Sequence, residues 1–435
     1  RIPRIDSTLS SAGTPLPDVP RIAFAGGGTG GHLAPGLAIA EAFAARTRAE
    51  LLYFSTGRPV ERSMLDCTPV EPIEIAAAPP GGGLNGWARF LSRTWRGYQR
   101  AIQVLREREP HMVVALGGYS ALPVVLAARR LRLPLAICEQ NRVLGRANRF
   151  FSRWAVACFT QWALESGGLD ADCLELELGN PIRQSVREGQ RGSTLRALGL
   201  STKKRTLLVM GGSQGAQAIN QALGQVRETL VHYESSINVI AVAGDRDYDQ
   251  LESMIGDLPH VRLLGFTNRI GDLLAASDLV LMRAGATSIA EATALGRPMI
   301  LVPYPHAKDA HQLRNAIYVA EQGAAVVVDE ESLRETTWEA LIEAVLLDDW
   351  QRYKLSDAAH QLGRPAAALS IAQKIAQLIQ HIDVQRIEPT LTDGVRDELE
   401  RLFEAGSPAA LNNHPSGHPS DSIRSLERGF SRRSA

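Results

Sequence analysis

The sequence has few cysteines, no excess of either charge and no uninterrupted apolar run of membrane-spanning length. Its four cysteines form no CxxC pair and no zinc-like spacing, so neither a disulfide framework nor a structural zinc is indicated. No secretory signal peptide is recognisable, which predicts reduced thiols in a cytoplasmic protein. Basic and acidic residues both number 47, so overall charge favours neither a nucleic acid nor an acidic partner.

The stretch that comes closest to a transmembrane span is 112–128. It is about the minimum length that crosses a bilayer, and Gly117, Gly118 and Pro123 interrupt it. A buried strand followed by a glycine turn and a helix explains this composition better. We therefore expect no membrane span.

Runs rich in Val, Ile and Leu alternate with helical patterns from residue 21 to about 345. Such alternation predicts parallel sheets covered by helices, an α/β fold. A break at Gly179-Asn180-Pro181 and a polar stretch at 188–204 separate two halves. Predicted strands lie at 21–25, 51–55, 112–116, 135–138, 155–159, 206–210, 238–242, 261–264, 279–282, 299–302 and 325–328.

The predicted organisation has five parts. Between two terminal segments of disordered composition, two domains are followed by a helical stretch that is suited to close one domain against the other. The parts are a disordered leader (1–20), an N-terminal domain (21–182), a C-terminal domain (183–354), a helical segment (355–382) and a mostly disordered tail (383–435).

Each half contains a strand, a glycine-rich loop and a helix start. Residues 22–36 read IAFAGGGTGGHLAPG, and residues 206–220 read TLLVMGGSQGAQAIN. This arrangement directs backbone N–H groups and the positive end of a helix toward phosphate. Two such units predict two Rossmann-like domains that face one cleft.

Other interpretations of the glycine loops explain less. The first loop matches the dinucleotide fingerprint, but the next strand ends Tyr53-Phe54-Ser55-Thr56-Gly57-Arg58, without the acidic residue that binds ribose. Arg58 could meet an NADP phosphate, yet an NADP site leaves the second loop without a role. Neither loop carries the Gly-Lys-Ser/Thr of a Walker motif. Glycines that serve only tight turns could explain one loop, but not two loops plus Gly117-Gly118-Tyr119.

Several polar residues follow predicted strands at the presumed cleft. His32 is either a base or phosphate contact, or a cap or core residue. Glu291, one turn inside a helix that Thr287 or Ser288 can cap, either compensates the helix dipole or accepts hydrogen bonds from ribose hydroxyls. Its position outside the carboxyl end of a strand favours ribose. The loop 303–312 (PYPHAKDAHQ) matches no zinc pattern and fits a polar sugar-binding loop better.

Six motifs, taken in order, resemble the MurG family of bacterial glycosyltransferases. They cover roughly residues 21 to 357. The matching segments are 26–32 (GGGTGGH), 139–141 (EQN), 179–183 (GNPIR), 211–216 (GGSQGA), 283–291 (RAGATSIAE) and 311–312 (HQ). In two respects the chain departs from the family: Cys138 stands where histidine is common, and the tail after 382 has no recognisable counterpart.

The resemblance implies a GT-B fold and an inverting transfer of GlcNAc from UDP-GlcNAc. The implied acceptor is the C4 hydroxyl of MurNAc in lipid I, the undecaprenyl-linked intermediate, and the product is lipid II for peptidoglycan synthesis. No cofactor and no metal are implied. The implied partners are UDP-GlcNAc, lipid I, the anionic cytoplasmic face of the inner membrane as a peripheral surface, and other cell-wall synthesis proteins, with no nucleic acid.

The resemblance also implies roles for individual residues. His32 is the first choice as catalytic base and Glu139 the second. Arg183 and Ser213, with Gln214, would lie near the diphosphate, Glu291 on the ribose, and the backbone of Thr267 on uracil. Gln312 and His311 would hold the GlcNAc hydroxyls. The remaining substrate contacts implied are Thr29, Gly30, Gly31, Asn141, Ala286, Thr287, Ser288, Ile289 and Ala290.

A lipid acceptor requires a membrane-facing surface, for which the predicted helix 87–108 is the candidate. Its apolar stripe is expected to pack in the core, opposite a solvated basic face. Three residues in or beside the loop 81–83 are expected to be exposed and, with neighbouring arginines, to enter an anionic bilayer. These three residues are Leu84, Trp87 and Phe90; the stripe is Trp87, Leu91, Trp95, Tyr98, Ile102 and Leu105.

Two other functions remain open from the sequence. A related GT-B enzyme could glycosylate another lipid or a small molecule with the same donor site. A nucleotide-sugar-binding protein could have kept the fold without activity, although the intact His32, Glu291 and Gln312 argue against that.

Overall fold

The computed structural model describes residues 17–27, 30–66, 68–81, 83–165, 168–211, 216–335 and 338–381. The predicted tail and most of the predicted leader lie outside these residues. Within them the chain forms two parallel sheets, each covered by helices on both faces. We call the first sheet with its helices the N-terminal lobe and the second the C-terminal lobe.

The sheet of the N-terminal lobe has seven parallel strands in the order β3-β2-β1-β4-β5-β6-β7. Its strands are β1 (Arg21–Ala25), β2 (Glu50–Ser55), β3 (Glu71–Glu74), β4 (Met112–Ala115), β5 (Leu135–Glu139), β6 (Ala157–Thr160) and β7 (Leu174–Glu177). Its helices are α1 (Gly30–Ala44), α2 (Pro59–Leu65), α3 (Gly83–Arg108), α4 (Leu122–Leu131) and α5 (Arg146–Phe151).

The sheet of the C-terminal lobe has six parallel strands in the order β10-β9-β8-β11-β12-β13. Its strands are β8 (Arg205–Met210), β9 (Ile237–Val242), β10 (Val261–Leu264), β11 (Leu279–Met282), β12 (Met299–Leu301) and β13 (Ala325–Val327). The helices that follow the first sheet are α6 (Gln184–Arg187), α7 (Arg191–Ala197), α8 (Gln217–Gly224), α9 (Arg227–His232), α10 (Tyr248–Ile255), α11 (Ile270–Ala276), α12 (Ala286–Ala294), α13 (His311–Glu321), α14 (Glu330–Glu335), α15 (Trp338–Leu341), α16 (Asp349–Leu362) and α17 (Ala367–His381).

The structure confirms every predicted strand to within two residues at either end and adds two that the pattern missed. The missed strands, β3 (EPIE) and β7 (LELE), form the two edges of the first sheet and are mostly exposed. Edge strands commonly carry charges and proline, which hide them from a search for apolar runs. The central strands are buried throughout because helices cover both faces of the sheet.

The last two helices pack on different lobes. Helix α16 contacts α12 of the C-terminal lobe, whereas α17 contacts α1 and places Ile371, Ile375 and Leu378 in the core of the N-terminal lobe. The chain therefore crosses between the lobes a second time. The crossing lies beside Gly179, whose φ of +92° favours glycine. Any other residue at position 179 would place its Cβ only 2.5 Å from the Cβ of Arg364.

Helix α3 corrects the expected membrane-facing segment. The predicted core stripe is partly exposed, with Leu91 43% and Trp95 56% exposed. Phe90, expected at the surface, is fully buried. The buried face instead carries small residues because α3 packs closely on its neighbours: a Cβ on Gly97 would lie 2.2 Å from the carbonyl oxygen of Ala76. None of the described helices, α3 included, is long and apolar enough to cross a bilayer.

Candidate active site

The glycine loops lie where each sheet reverses its strand order. In the first sheet the reversal falls between β1 and β4, which are followed by Gly26-Gly27 and Gly117-Gly118. In the second sheet it falls between β8 and β11, followed by Gly211 and by the segment 283–286. Such switch points create a crevice at the carboxyl ends of the strands, where ligands of α/β proteins bind.

The first loop is held tightly by its neighbours. The N–H of Gly27 donates to Ser120 Oγ at 2.8 Å, and Ser120 Oγ donates to the Gly27 carbonyl at 3.1 Å. A Cβ on Gly27 would lie 2.4 Å from Oε1 of the buried Glu61. That carboxylate accepts hydrogen bonds from the backbone of Thr56 and Arg58. Glycine is thus required at position 27 by close packing.

His32 lies in the first turn of α1, where it faces both lobes. Burial lowers the pKa of its imidazole, which the negative charge of Glu139 partly opposes and His311 of the C-terminal lobe reinforces. A histidine with a lowered pKa is neutral at pH 7 and can accept a proton. Charged or titratable residues of both lobes therefore influence His32.

Glu139 ends β5 and is only 3% exposed. Its Oε1 accepts hydrogen bonds from the backbone N–H and the Nδ2 of Asn141, at 3.0 and 3.1 Å. Its Oε2 accepts from the Gly145 N–H and from Asn148 Nδ2, both at 2.9 Å. A carboxylate has about four acceptor positions, so these bonds use its full capacity. This geometry suits a residue that organises the loop 140–146.

Glu291 lies in the second turn of α12 and is 8% exposed. Burial raises its pKa to about 7, while the positive charge of Arg183 acts in the opposite direction. The carboxylate accepts no hydrogen bond from any residue the structure describes. Arg183 Nε is also buried without a partner among those residues. Glu291 and Arg183, which influence each other electrostatically, thus have unused hydrogen-bonding capacity.

The starts of α1 and α12 meet across the cleft. Thr287 Oγ1 donates to the carbonyl oxygen of Gly31 at 3.1 Å and accepts from Asn180 Nδ2 at 3.4 Å. Gly285 is the N-cap of α12 and offers no side-chain cap. The first-turn N–H groups of both helices therefore bring partial positive charge to the same region.

The other predicted contacts from α12 differ in what they can offer. Ile289 is fully buried, and the side chains of Ala286 and Ala290 are buried as well. These three residues can contact a ligand in the cleft through the backbone only. Ser288 is partly exposed and lies near Gly285.

Two loops predicted to contact the uracil and the sugar, 265–269 and 303–312, are each held by hydrogen bonds within the C-terminal lobe. Asp245 Oδ1 accepts from the Phe266 N–H at 2.8 Å, and Thr267 Oγ1 accepts from the Arg269 N–H at 3.1 Å. Gln312 Oε1 accepts from the Tyr304 N–H at 2.9 Å, so the amide N–H groups of Gln312 are the part that can donate to a ligand.

Three predicted contacts, Thr29, Ser213 and Gln214, lie outside the described residues, whereas Gly30 begins α1. An Asp-x-Asp run occurs at 245–247, but its two carboxylates accept from the Phe266 N–H and from Asn220 Nδ2. Among the described residues no group of three or more His, Cys, Asp or Glu side chains could hold a metal ion.

Reasoning from the sequence missed several residues that build the site. Asn148 and Ser120 anchor Glu139 and Gly27, and Asn315 joins the two lobes. The sequence contained one signal for the role of Asn315. It lies about one helical turn after Gln312, on a helix face that includes buried apolar residues. A single polar residue in such a pattern does not reveal its partners.

Comparison with known proteins agrees with this architecture. The glycosyltransferase family 28 N-terminal domain matches residues 22–160, and the glycosyltransferase family 28 C-terminal domain matches residues 206–379. The UDP-N-acetylglucosamine–N-acetylmuramyl-(pentapeptide) pyrophosphoryl-undecaprenol N-acetylglucosamine transferase of Anaeromyxobacter dehalogenans (strain 2CP-1) is 36% identical over 366 residues, covering 83% of this chain and 93% of the relative. The protein of the same name from Listeria monocytogenes serovar 1/2a is 33% identical and covered over its whole length.

The chain belongs to the MurG family. It is a glycosyltransferase with a GT-B fold, as expected from the motifs. The crystal structure of Acinetobacter baumannii MurG matches with a TM-score of 0.60 at 24% identity, covering 83% of this chain and 99% of that chain. The UDP-GlcNAc 2-epimerase from Neisseria meningitidis bound to UDP-GlcNAc shares the fold, with a TM-score of 0.57 at 13% identity, covering 82% and 99%.

Proposed function

We propose that this chain transfers GlcNAc from UDP-GlcNAc to the C4 hydroxyl of MurNAc in lipid I, giving lipid II with inversion at the anomeric carbon. One observation carries the mechanism: Thr287 of the C-terminal lobe donates a hydrogen bond to the carbonyl oxygen of Gly31, the residue before His32, so His32 lies where the starts of α1 and α12 meet. Residues of both lobes, Glu139 and His311, act on the pKa of its imidazole. The reacting groups of both substrates can meet only in such a cleft.

The donor binds mainly to the C-terminal lobe. Glu291 accepts hydrogen bonds from the ribose hydroxyls, the backbone near Thr267 contacts uracil, and Gln312 with His311 holds the GlcNAc hydroxyls. The unused acceptor capacity of Glu291 and the unpartnered Nε of Arg183 support this assignment. Four residues of the N-terminal lobe are assigned to contacts with the bound donor: Thr29, Gly30, Gly31 and Asn141. Ser213 and Gln214 of the second glycine loop are assigned to the donor as well.

His32 removes the proton from the attacking C4 hydroxyl. A positioned base contributes roughly 10²–10⁴-fold to rate. The lowered pKa of His32 keeps it neutral, as a base must be. Glu139 is the weaker candidate because its carboxylate already accepts four hydrogen bonds and is buried. Its charge instead favours the imidazolium that forms as the proton arrives.

The departing UDP takes up negative charge as the glycosidic bond breaks. Arg183 and the first-turn N–H groups of α1 and α12 stabilise that charge, since they are fixed in place before the reaction begins. We expect transfer to continue in EDTA, because these groups supply the positive charge that a divalent cation would otherwise provide.

The acceptor reaches the site from an anionic membrane surface, and the chain binds that surface peripherally on the cytoplasmic face. Leu84, Leu91 and Trp95 lie on one exposed line of α3, 91%, 43% and 56% exposed. This line replaces the expected set, since Phe90 is buried and Trp87 is only partly exposed. Four exposed arginines lie on another side of α3, and their charge would attract anionic headgroups: Arg89, Arg93, Arg96 and Arg100.

The function is tested by incubating the purified protein with UDP-GlcNAc and a lipid I analogue. We expect transfer of one GlcNAc, strong loss in Glu291→Ala, and no transfer to small-molecule or glycolipid acceptors that lack the MurNAc diphosphate. Turnover with the other acceptors but not with lipid I would reassign the enzyme within the GT-B class. UDP binding without any transfer would contradict catalysis and indicate a binding protein.

A further inference from the structure

Asn315 is a fully buried polar residue at the boundary between the lobes. It lies on α13 of the C-terminal lobe, about one turn after His311 and Gln312. Its amide makes three hydrogen bonds. Oδ1 accepts from the backbone N–H of Arg142 at 3.1 Å, while Nδ2 donates to Asn141 Oδ1 at 3.1 Å and to the carbonyl oxygen of Ala284 at 3.3 Å.

Two of these bonds cross from one lobe to the other. Asn141 and Arg142 belong to the loop after β5, whose Asn141 donates twice to Glu139. Ala284 belongs to the segment between β11 and α12, the helix that carries Glu291. A continuous chain of hydrogen bonds therefore runs from Glu139 through Asn141 and Asn315 to the segment that leads into the ribose site.

Two ion pairs also cross the same boundary, but both lie at the surface. The ion pair between Arg146 and Asp309 is 65% and 43% exposed, and that between Arg314 and Glu165 is 50% and 35% exposed. Exposed ion pairs contribute little to the placement of the lobes. A buried amide is more selective, because its loss leaves buried partners without hydrogen bonds.

Few side chains could replace this amide. The site needs an acceptor for the Arg142 N–H and two donors for oxygens on different lobes, at fixed distances. Aspartate supplies the acceptor but no donor, and alanine supplies neither. Asparagine at this position therefore specifies one relative placement of the two lobes.

We propose that Asn315 is a positioning residue that sets the register of the donor-holding lobe against the Glu139–Asn141 loop and His32. The inference rests on the proposed function. A displacement of about 1 Å between reacting groups can cost about 10²-fold in rate. Loss of Asn315 should therefore lower kcat by roughly 10- to 100-fold, while the affinity for UDP, which Glu291 and Arg183 supply, stays unchanged.

The test compares Asn315→Asp with Asn238→Asp. Asn238 is also buried, but its Nδ2 donates to the Ser201 carbonyl and to Thr206 Oγ1, both within the C-terminal lobe. Both variants should melt at a lower temperature, because each loses two donated hydrogen bonds. Only Asn315→Asp should lower kcat, with the Kd for UDP measured by calorimetry remaining at the wild-type value.

A second measurement asks whether Asn315 acts through Asn141. The double variant Asn141→Ala with Asn315→Ala should have the kcat of Asn141→Ala alone, since the two side chains form one chain of bonds. Equal losses of kcat in Asn315→Asp and Asn238→Asp would overturn the inference. So would a loss of UDP affinity in step with kcat, which would make Asn315 a donor-binding residue.

The wild-type rate distinguishes a failure of this inference from a failure of the proposed function. If the wild type transfers GlcNAc and Asn315→Asp transfers it equally fast, the function stands and the inference fails. If the wild type transfers nothing, hydrogen exchange still decides on the register: Asn315→Asp should speed the exchange of the backbone amides at 141–145 in the N-terminal lobe, and Asn238→Asp should not. Unchanged exchange at these amides would then reject the inference.

Discussion

Two buried carboxylates near the cleft, Glu139 in the N-terminal lobe and Glu291 in the C-terminal lobe, have opposite hydrogen-bonding environments. Glu139 in the N-terminal lobe accepts four hydrogen bonds from its own loop and helix α5. Glu291 in the C-terminal lobe is buried with no hydrogen bond from the described residues, and its pKa is raised to about 7. A carboxylate whose bonds are all made holds structure, whereas one left unsatisfied costs stability until a ligand arrives.

The proposed mechanism extends the same contrast to the task of each lobe. In it, the N-terminal lobe presents His32 as a neutral base, while the C-terminal lobe presents most of the groups for the nucleotide. The largest effect should therefore come from His32→Gln, which we expect to reduce kcat by roughly 10²–10⁴-fold because the attacking hydroxyl loses its base. Binding of UDP should change little, since the donor lies on the other lobe.

The pH profile of the wild type checks the same assignment. The activity should rise with pH through the pKa of His32, which lies below its ordinary 6.5 because burial disfavours the imidazolium. His32→Gln should lack this acidic limb. A wild-type kcat in His32→Gln would show that another residue acts as the base. The proposed division of tasks between the two lobes would then be weakened.

Glu139→Gln should mainly destabilise the fold. The amide that replaces the carboxylate turns an N–H group toward donors that previously met an oxygen, at a cost of about 1–3 kcal/mol for each buried group left unpaired. We expect a lower melting temperature, measured by calorimetry, at every pH between 6 and 8. A melting temperature equal to that of the wild type would show that the four hydrogen bonds do not support the loop.

Glu291→Gln should act in the opposite direction on stability. A carboxyl whose pKa is raised from 4.5 to about 7 binds protons more strongly in the folded state, so stability falls as pH rises from about 4.5 to about 7. Removing the charge should therefore raise the melting temperature at pH 8. The corresponding gain in the free energy of unfolding is at most about 3 kcal/mol. At pH 4 the variant and the wild type should melt together, which serves as the internal control.

The same variant should weaken UDP binding by about tenfold, because a charged acceptor for the ribose hydroxyls is lost. Wild-type affinity should increase as pH rises through about 7, while that of Glu291→Gln should lack this increase. Comparing UDP with its 2′-deoxy analogue localises the effect: the wild type should prefer UDP and the variant should not. An undiminished preference would remove Glu291 from the ribose.

The smallest effect concerns the membrane surface, for which each lobe offers an exposed aromatic pair. Trp95 and Tyr98 stack on α3, which carries four exposed arginines, whereas Trp350 and Tyr353 stack on α16, where Lys354 lies over the Trp350 ring and Asp348 and Asp349 are close in sequence. Trp95→Glu should reduce binding to vesicles that contain anionic lipid, and Trp350→Glu should not. Equal losses would point to unspecific adhesion, and no loss in Trp95→Glu would exclude α3 as the contact.

How far the sequence predicts this molecule depends on how local each signal is. The apolar strands and the glycine loops were recognisable because hydrophobic periodicity and glycine are properties of adjacent residues. The edge strands β3 and β7 were missed because an exposed strand next to a single neighbour needs no apolar run. We expected the wrong face of α3 to pack in the core, because large aromatic residues gave a stronger signal than Gly97. The buried face contains Gly97, which has no side chain and so allows close packing.

The site shows the same division. Its motifs identified His32, Glu139 and Glu291, yet two glutamates in similar settings are indistinguishable from their letters alone. Asn315 bonds to residues 173 and 174 positions away, and its own neighbours in the sequence do not reveal those partners.

By itself, then, the order of residues determined two parallel α/β lobes, their strand limits and the family to which the chain belongs, because those features depend on neighbours along the chain. Only the tertiary structure decided which carboxylate is saturated and which is open, which face of α3 meets water, and which amide joins the lobes. Those outcomes depend on burial and on hydrogen-bond partners that the fold brings together from distant segments, and such pairings are set by packing in three dimensions.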